Sequence, residues 1–209
     1  IAEGLPEERT GFLTFGTANN PHKYNRAVLG AWARVLTAVP GSKFAFVRPE
    51  GSSASFRANI LAEFAAHGVG EERIVFHAVR GTHMRFYNDI DITLDPFPLT
   101  GGTTTTEALW MGVPVVSLRG EAFFERLSYS ILSNAGLGDL VGADLEEYQA
   151  IALKLAHDRE RRRDLRATLR ERIRNSPLGR PDEFASAFSD LIAGAVAEPP
   201  AAVRTGNTR

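Results

Sequence analysis

Five short apolar runs recur along the chain, at residues 11–16 (GFLTFG), 43–48 (KFAFVR), 73–79 (RIVFHAV), 91–95 (DITLD) and 114–118 (PVVSL). Each is brief, rich in Val, Ile and Phe, and nearly continuous in apolar character, as strands buried on both faces of a parallel sheet are. Helical patterns separate them. In 26–39, Val28, Trp32, Val35 and Val39 recur at helical spacing, and 52–67 opens on serines and closes at Gly68. A short segment at 82–88 follows the third run, 103–111 follows the fourth, and 122–135 follows the fifth and stops at Gly136. Strand alternating with helix predicts an α/β domain with a doubly wound, mainly parallel sheet and right-handed crossovers.

After Leu140 the pattern predicts helices only. The segment 144–157 pairs Leu145, Tyr148, Ile151 and Leu155, 159–174 is strongly basic, and 181–196 carries Phe184, Phe188 and Leu191. The expectation is one domain over 1–196 and a disordered tail at 197–209, where Pro, Ala and Thr dominate. The basic helix raises the question of nucleic acid. Leu165, Leu169 and Ile173 keep an apolar stripe, however, and Glu160, Asp164 and Glu171 interleave with the arginines. Together with a whole-chain net charge of −1, that reads as a solvated helix face, with no nucleic-acid partner expected.

The 209 residues contain no cysteine, which excludes disulfides and thiolate metal sites and fits a reducing compartment; a cytoplasmic location is the expectation. No run approaches the length of a membrane span and no signal-peptide pattern opens the chain, so no membrane partner is expected. The first residue is Ile1, which suggests a piece of something longer. His22, His67, His77 and His157 lack metal-ligand spacing and are read as structural, so no metal site is expected.

The stretch 94–118, LDPFPLTGGTTTTEALWMGVPVVSL, carries the most chemistry. In an open α/β sheet ligands bind beyond the carboxyl ends of strands, beside helix N-termini. Gly101, Gly102, Thr103, Thr104 and Thr105 fall at such a junction, where unpaired N–H groups point outward and the helix dipole is positive. Glycines permit close backbone approach and threonine hydroxyls add uncharged donors, a combination that suits a diphosphate. The residues alone leave a second reading open, a helix cap with surplus threonines. Glu107, one turn into the helix, is either a ligand for sugar hydroxyls or a first-turn acid favoured by the dipole.

Two further loops belong to the same sheet edge. The loop 15–25, FGTANNPHKYN, brings Lys23, a point cation suited to phosphate, while Asn19 and Asn20 read as turn formers. The loop 78–89, AVRGTHMRFYND, adds Arg80, His83 and Arg85. Any one of these is commonly a surface residue; their convergence on one edge is the argument.

The segments WARVLTAVPGSKF, DITLDPFPLTGGTTTTEALWMGVPVVSL and LGDLVGADLEEYQAIALKLAHD, with SPL at 176–178, resemble the catalytic region of the O-linked N-acetylglucosamine transferase/SPINDLY family. The resemblance runs in order from about Gly11 to Ile192. It implies a Rossmann-like fold, the C-terminal domain of a two-domain GT-B glycosyltransferase, whose other catalytic domain and tetratricopeptide repeats lie elsewhere in the protein. It implies inverting, metal-free transfer from a nucleotide sugar to Ser or Thr hydroxyls of protein acceptors, with no cofactor beyond the donor, and a fragment that does not turn over alone. Carried over by position, Lys23 resembles the family's essential lysine, which stabilises the leaving diphosphate. Asn20 falls where animal members have a glutamine at the donor phosphates. Thr103 and Thr104 match diphosphate-binding threonines, and Glu107 a ribose-binding acid. Ala78 and Arg80 match backbone contacts to the base, and His83 a histidine lining the nucleotide pocket.

This sequence departs from the animal pattern in two places: Gly102 replaces a histidine at the phosphates, and Phe86 an arginine near uracil. The run GTTTT is closer to the plant SPINDLY pattern, whose donor is GDP-fucose, so UDP-N-acetylglucosamine is the expected donor with GDP-fucose as its alternative. Rival readings are a nucleotide-sugar epimerase, an N-linked protein glucosyltransferase, and a non-catalytic nucleotide-binding domain.

Overall fold

The computed structural model describes residues 1–197. A short helix α1 (Pro6–Thr10) precedes β1 (Thr14–Thr17), α2 (Arg26–Ala38), β2 (Lys43–Val47), α3 (Ala54–Ala65) and β3 (Ile74–His77). Then come β4 (Ile92–Leu94), α4 (Thr103–Trp110), β5 (Val115–Leu118), α5 (Leu127–Asn134), β6 (Val141–Gly142) and the helices α6 (Leu145–His157), α7 (Arg159–Asn175) and α8 (Pro181–Ala197). The strands form one sheet in the order β3-β2-β1-β4-β5-β6 with every pairing parallel. Strand order therefore reverses between β1 and β4, where Phe15 pairs Phe44 on one side and Ile92 on the other. The expected doubly wound α/β fold is present, and its switch point lies between the β1 and β4 ends.

The sequence explains why the sheet holds. Asn25 caps α2 by accepting the Val28 N–H at 3.0 Å, and the apolar stripe places Trp32 and Val35 on the sheet. Trp32 stacks on Phe44 at 4.9 Å, and Phe44 and Phe46, two apart on β2, share one face with Phe64 of α3. Burial of each of these rings contributes about 2–3 kcal/mol. Gly16 is required for closeness: a Cβ there would sit 2.7 Å from Ile90 Cδ1 and 3.0 Å from the Ala45 carbonyl.

Several boundaries differ from expectation. Strand β1 begins at Thr14 rather than residue 11, because Gly11, with φ 80°, closes α1 instead of opening a strand. Strand β6 contradicts the expectation of helices alone after Leu140; with only two residues it shows no alternation to read. The segment 82–88 is a 3-10 turn over His83–Asp89, and the helix expected at 122–135 starts only at Leu127, after a turn at Phe123–Glu125.

The solvated reading of 159–174 also needs correction. Leu165, Leu169 and Ile173 are buried as expected, but so are Arg162 and Arg166. Arg162 meets Glu7 at 2.6 Å and donates to the Leu155 carbonyl, while Arg166 donates to the Tyr87 carbonyl and Asn88. The terminal nitrogens of these arginines are paired with α1, the C-terminal end of α6 and the turn before β4, while the Nε of each is buried without a partner among the described residues, so long polar side chains serve as packing here. Every residue of α8 is exposed, including Phe184, Phe188 and Leu191. The tail expected to be disordered lies, from residue 198 on, outside the described residues. No helix among those residues is long and apolar enough to cross a membrane.

Candidate functional site

Strand β1 ends at Thr17 and the chain turns at once through Asn19, which is buried. Asn20 caps the following 3-10 turn by accepting the His22 N–H at 3.0 Å; its side chain is exposed and faces that turn. The turn carries Lys23 back over the sheet edge. The ammonium donates to the Thr100 carbonyl at 2.7 Å and to Asn19 Oδ1 at 3.1 Å. Lysine has three donors, so one N–H remains for a ligand. Burial pushes the Lys23 pKa below its ordinary value, and the nearby Asp95 carboxylate partly restores it.

Strand β4 ends in Asp95, which is fully buried. Its carboxylate accepts the Gly101 N–H at 2.9 and 3.1 Å, Asn19 Nδ2 at 3.2 Å and the Ser117 hydroxyl at 2.7 Å. Burial raises its pKa, against the pull of these donors and of Lys23. Gly101 must be glycine, since a Cβ would fall 2.8 Å from Asp95 Oδ1 and against Thr105 Oγ1. The loop after β4 is thus clamped from within by Asp95 and from the β1 side by Lys23.

Helix α4 begins with Gly102 at its N-cap and no side-chain cap. That removes the reading of the threonine run as a helix cap, because all four threonines lie inside the helix. Its first N–H groups stay open, with the positive dipole end facing the switch point. The four hydroxyls divide the work. Thr105 is buried against Ser128 at 2.7 Å, and Thr106 turns back to the Gly102 carbonyl at 3.4 Å. Thr104 gives its one hydroxyl proton to Asn19 Oδ1 at 2.9 Å, so toward a ligand it offers its backbone N–H. Thr103 is exposed and makes no side-chain hydrogen bond among the described residues.

One turn further along α4, Glu107 meets His83 Nε2 at 3.0 Å, with both side chains partly exposed. This contact joins the loop after β3 to α4. Tyr87, from the same loop, donates to the Thr104 carbonyl at 3.3 Å. Ala78 and Arg80 are exposed just beyond β3, beside Gly51 in the case of Ala78. Phe86 packs on His77 at 4.6 Å and under Arg85, and burial lowers the His77 pKa.

The structure therefore brings Lys23, Gly101, Gly102, Thr103 and Thr104 to one place, with His83 and Glu107 paired beside them. Ala78 and Arg80 lie beyond β3 on the side of Gly51 and Glu50, and Asn20 turns to its own cap. Sequence reading missed Asn19 and Asp95. Asn19 had the signature of any turn asparagine; the available signal was its place directly after β1. Asp95 was legible only as a polar residue ending an apolar strand.

A parallel sheet that reverses at such a cation and an open helix N-terminus defines a doubly wound α/β domain with an electropositive switch point, an arrangement that favours anionic groups. The chain belongs to glycosyl transferase family 41, whose model matches residues 2–188. It is 38% identical over 176 residues to a probable UDP-N-acetylglucosamine–peptide N-acetylglucosaminyltransferase SPINDLY of Eustoma exaltatum subsp. russellianum, covering 83% of this chain and 19% of that protein. It is 32% identical over 179 residues to the corresponding probable transferase SEC of Arabidopsis thaliana, covering 84% of this chain and 18% of that protein. Among solved structures, a mutant of Thermobaculum terrenum O-GlcNAc transferase superposes with a TM-score of 0.80 at 32% identity, over 93% of this chain and 39% of that one. The chain thus spans about a fifth of the curated relatives it matches.

Proposed function

We propose that this chain is the donor-binding half of an inverting protein O-glycosyltransferase that moves N-acetylglucosamine from UDP-N-acetylglucosamine to Ser or Thr hydroxyls of protein acceptors. The observation that carries the reading is the convergence of Lys23 and the uncapped α4 N-terminus at the switch point. The relatives, named as probable UDP-N-acetylglucosamine–peptide N-acetylglucosaminyltransferases, support the donor.

In such a reaction an acceptor hydroxyl attacks the anomeric carbon, the bond to the nucleoside diphosphate breaks, and negative charge grows on the β-phosphate. Lys23, the open N–H groups of Thr103 and Thr104, and the Thr103 hydroxyl are fixed donors where that charge develops. They supply leaving-group stabilisation without a metal. Glu107, held by His83, accepts from ribose hydroxyls, and the base rests over Ala78 and Arg80. The acceptor and its general base are supplied by other parts of the protein, a second catalytic domain and tetratricopeptide repeats, so this chain alone binds donor without turning it over.

GDP-fucose is the second reading. It is favoured by the run GTTTT, which is closer to the SPINDLY pattern, and by the departures at Gly102 and Phe86. Calorimetric titration with UDP, UDP-N-acetylglucosamine, GDP and GDP-fucose decides between them. Tightest binding of the uridine pair supports the first, of the guanosine pair the second. Binding of none rejects a nucleotide site.

A further inference from the structure

Beneath the donor-facing groups lies a buried chain of polar contacts that the transfer chemistry does not itself use. It runs from the Ser117 hydroxyl to the Asp95 carboxylate, to Asn19 Nδ2, and from Asn19 Oδ1 to both Lys23 Nζ and Thr104 Oγ1. Asn19 is 1% exposed and Asp95 is not exposed at all. A carboxylate only accepts, so the end of the carboxamide facing Asp95 is its NH2 group. Its oxygen must then point at Lys23 and Thr104. With Asp95 removed, the NH2 group keeps only the long 3.4 Å contact to Thr17 Oγ1, and the carboxamide is held less firmly on that side.

We propose that Asp95 and Asn19 are positioning residues for this site: the Asp95 carboxylate fixes the Asn19 carboxamide, whose oxygen holds the Lys23 ammonium and the Thr104 hydroxyl in place to receive a diphosphate. The proposal rests on the reading of the site as a nucleoside-diphosphate cradle. The two residues never touch the ligand; they act through Lys23 and through the start of α4.

Asp95 also has an electrostatic effect that a neutral strut lacks. A half-buried lysine tends to lose its proton, and among the described residues the anion acting on it is Asp95. The groups packed around it are otherwise the phenols of Tyr24, Tyr148 and Tyr87, which donate to the carbonyls of Asn19, Asp95 and Thr104, together with Arg48, and the His83–Glu107 pair further along α4. Burial raises all three phenols well above their ordinary range, so they stay neutral where Lys23 titrates. An alkaline loss of anion affinity therefore reports Lys23.

The test is calorimetry on the intact protein with UDP, GDP and inorganic diphosphate as probes, from about pH 7 to about pH 9.5. Asp95→Asn moves the alkaline loss of affinity to lower pH, so the ratio of affinities at the two ends falls about tenfold below that of the wild type. Asn19→Ala weakens binding about tenfold, and combined with Lys23→Ala loses clearly less than the sum of the two single losses, since the asparagine acts in part through the lysine. An unmoved alkaline limb together with additive losses overturns the proposal. Should Asp95→Asn fail to fold, the Asn19–Lys23 cycle decides by itself. Failure of the wild type to bind any probe instead rejects the cradle, which keeps the two failures distinct.

Discussion

Lys23 Nζ lies 2.7 Å from the carbonyl oxygen of Thr100, a residue 77 positions away, so one ammonium both ties the loop after β1 to the loop after β4 and faces the open end of α4. Removing it takes away the cation and loosens the clamp. Lys23→Ala is expected to lower transfer by the intact protein by two to three orders of magnitude, about 3–4 kcal/mol of barrier. Lys23→Arg does not rescue it, because a planar guanidinium cannot reproduce the contacts of a compact point charge in this space. Steady-state rates with each variant check this, alongside urea unfolding to separate a lost cation from a lost fold. Full activity of Lys23→Ala would remove the leaving-group role.

The threonines make a sharper test, because the four differ only in surroundings. The Thr103 hydroxyl has no partner among the described residues, whereas the Thr104 proton is directed at Asn19. Thr103→Ala should weaken nucleoside diphosphate binding about fivefold to tenfold with little change in stability, in the range of one hydrogen bond to a charged group. Thr105→Ala should do the reverse, leaving Ser128 without its 2.7 Å partner in a buried site and costing about 1–3 kcal/mol of stability. Thermal melts and titrations on the same two preparations measure both. Equal effects on binding from the two variants contradict the division.

Much of this site was legible before the fold was known, and what was not has physical reasons. Lys23, Gly101 and the threonines were readable because strand-to-helix junctions on one sheet edge must converge and because glycine, threonine and lysine there suit an anion. The division among the threonines was not, since it depends on which way each hydroxyl points, and that is set by Asn19 and Ser128 from distant segments. Asn20 and Asn19 are identical in type and adjacent. Only the end of β1 decides that Asn19 turns inward and Asn20 caps a turn. In the fold, the apolar runs gave away the five longer strands, whereas β6 left no pattern because two residues cannot alternate. Arg162 and Arg166 misled for a related reason: a basic helix reads as solvated until its partners, Glu7 and the Leu155 and Tyr87 carbonyls, are known.

Glu107 and His83 hold each other at 3.0 Å one turn into α4, which in the proposed site is the nucleoside side. Glu107→Ala should therefore discriminate between ligands: affinity for a nucleoside diphosphate falls about tenfold while affinity for inorganic diphosphate changes little. A single lost hydrogen-bonded carboxylate accounts for that size. Titrating both ligands into the variant provides the comparison. A parallel loss for both would mean that Glu107 acts through the start of α4 rather than on the ribose.

At the opposite edge of the sheet, Asp91 opens β4 and accepts the Thr14 N–H at 2.9 Å and the Glu7 N–H at 3.1 Å, joining β1, β4 and α1. Desolvation of this carboxyl outweighs those two bonds and raises its pKa from 3.8 to about 6. The folded state thus holds a proton that the unfolded chain has already lost. Below about pH 4 both states are protonated and the stabilisation is complete. As pH rises toward about 6 the unfolded chain ionises freely while the folded one resists, and stability falls by an amount on the order of 3 kcal/mol before levelling off. Asp91→Asn mimics the protonated form and has no such slope. Carboxylates elsewhere, such as Glu8, whose pKa is lowered by Arg163, titrate alike in both proteins and cancel in the difference. Urea unfolding at about pH 4, 5, 6 and 7 should then show the wild type's advantage over Asp91→Asn shrinking through this window. Curves that stay parallel would mean that the α1 strap and the two N–H groups hold the carboxylate ionised, with hydrogen bonding overcoming burial.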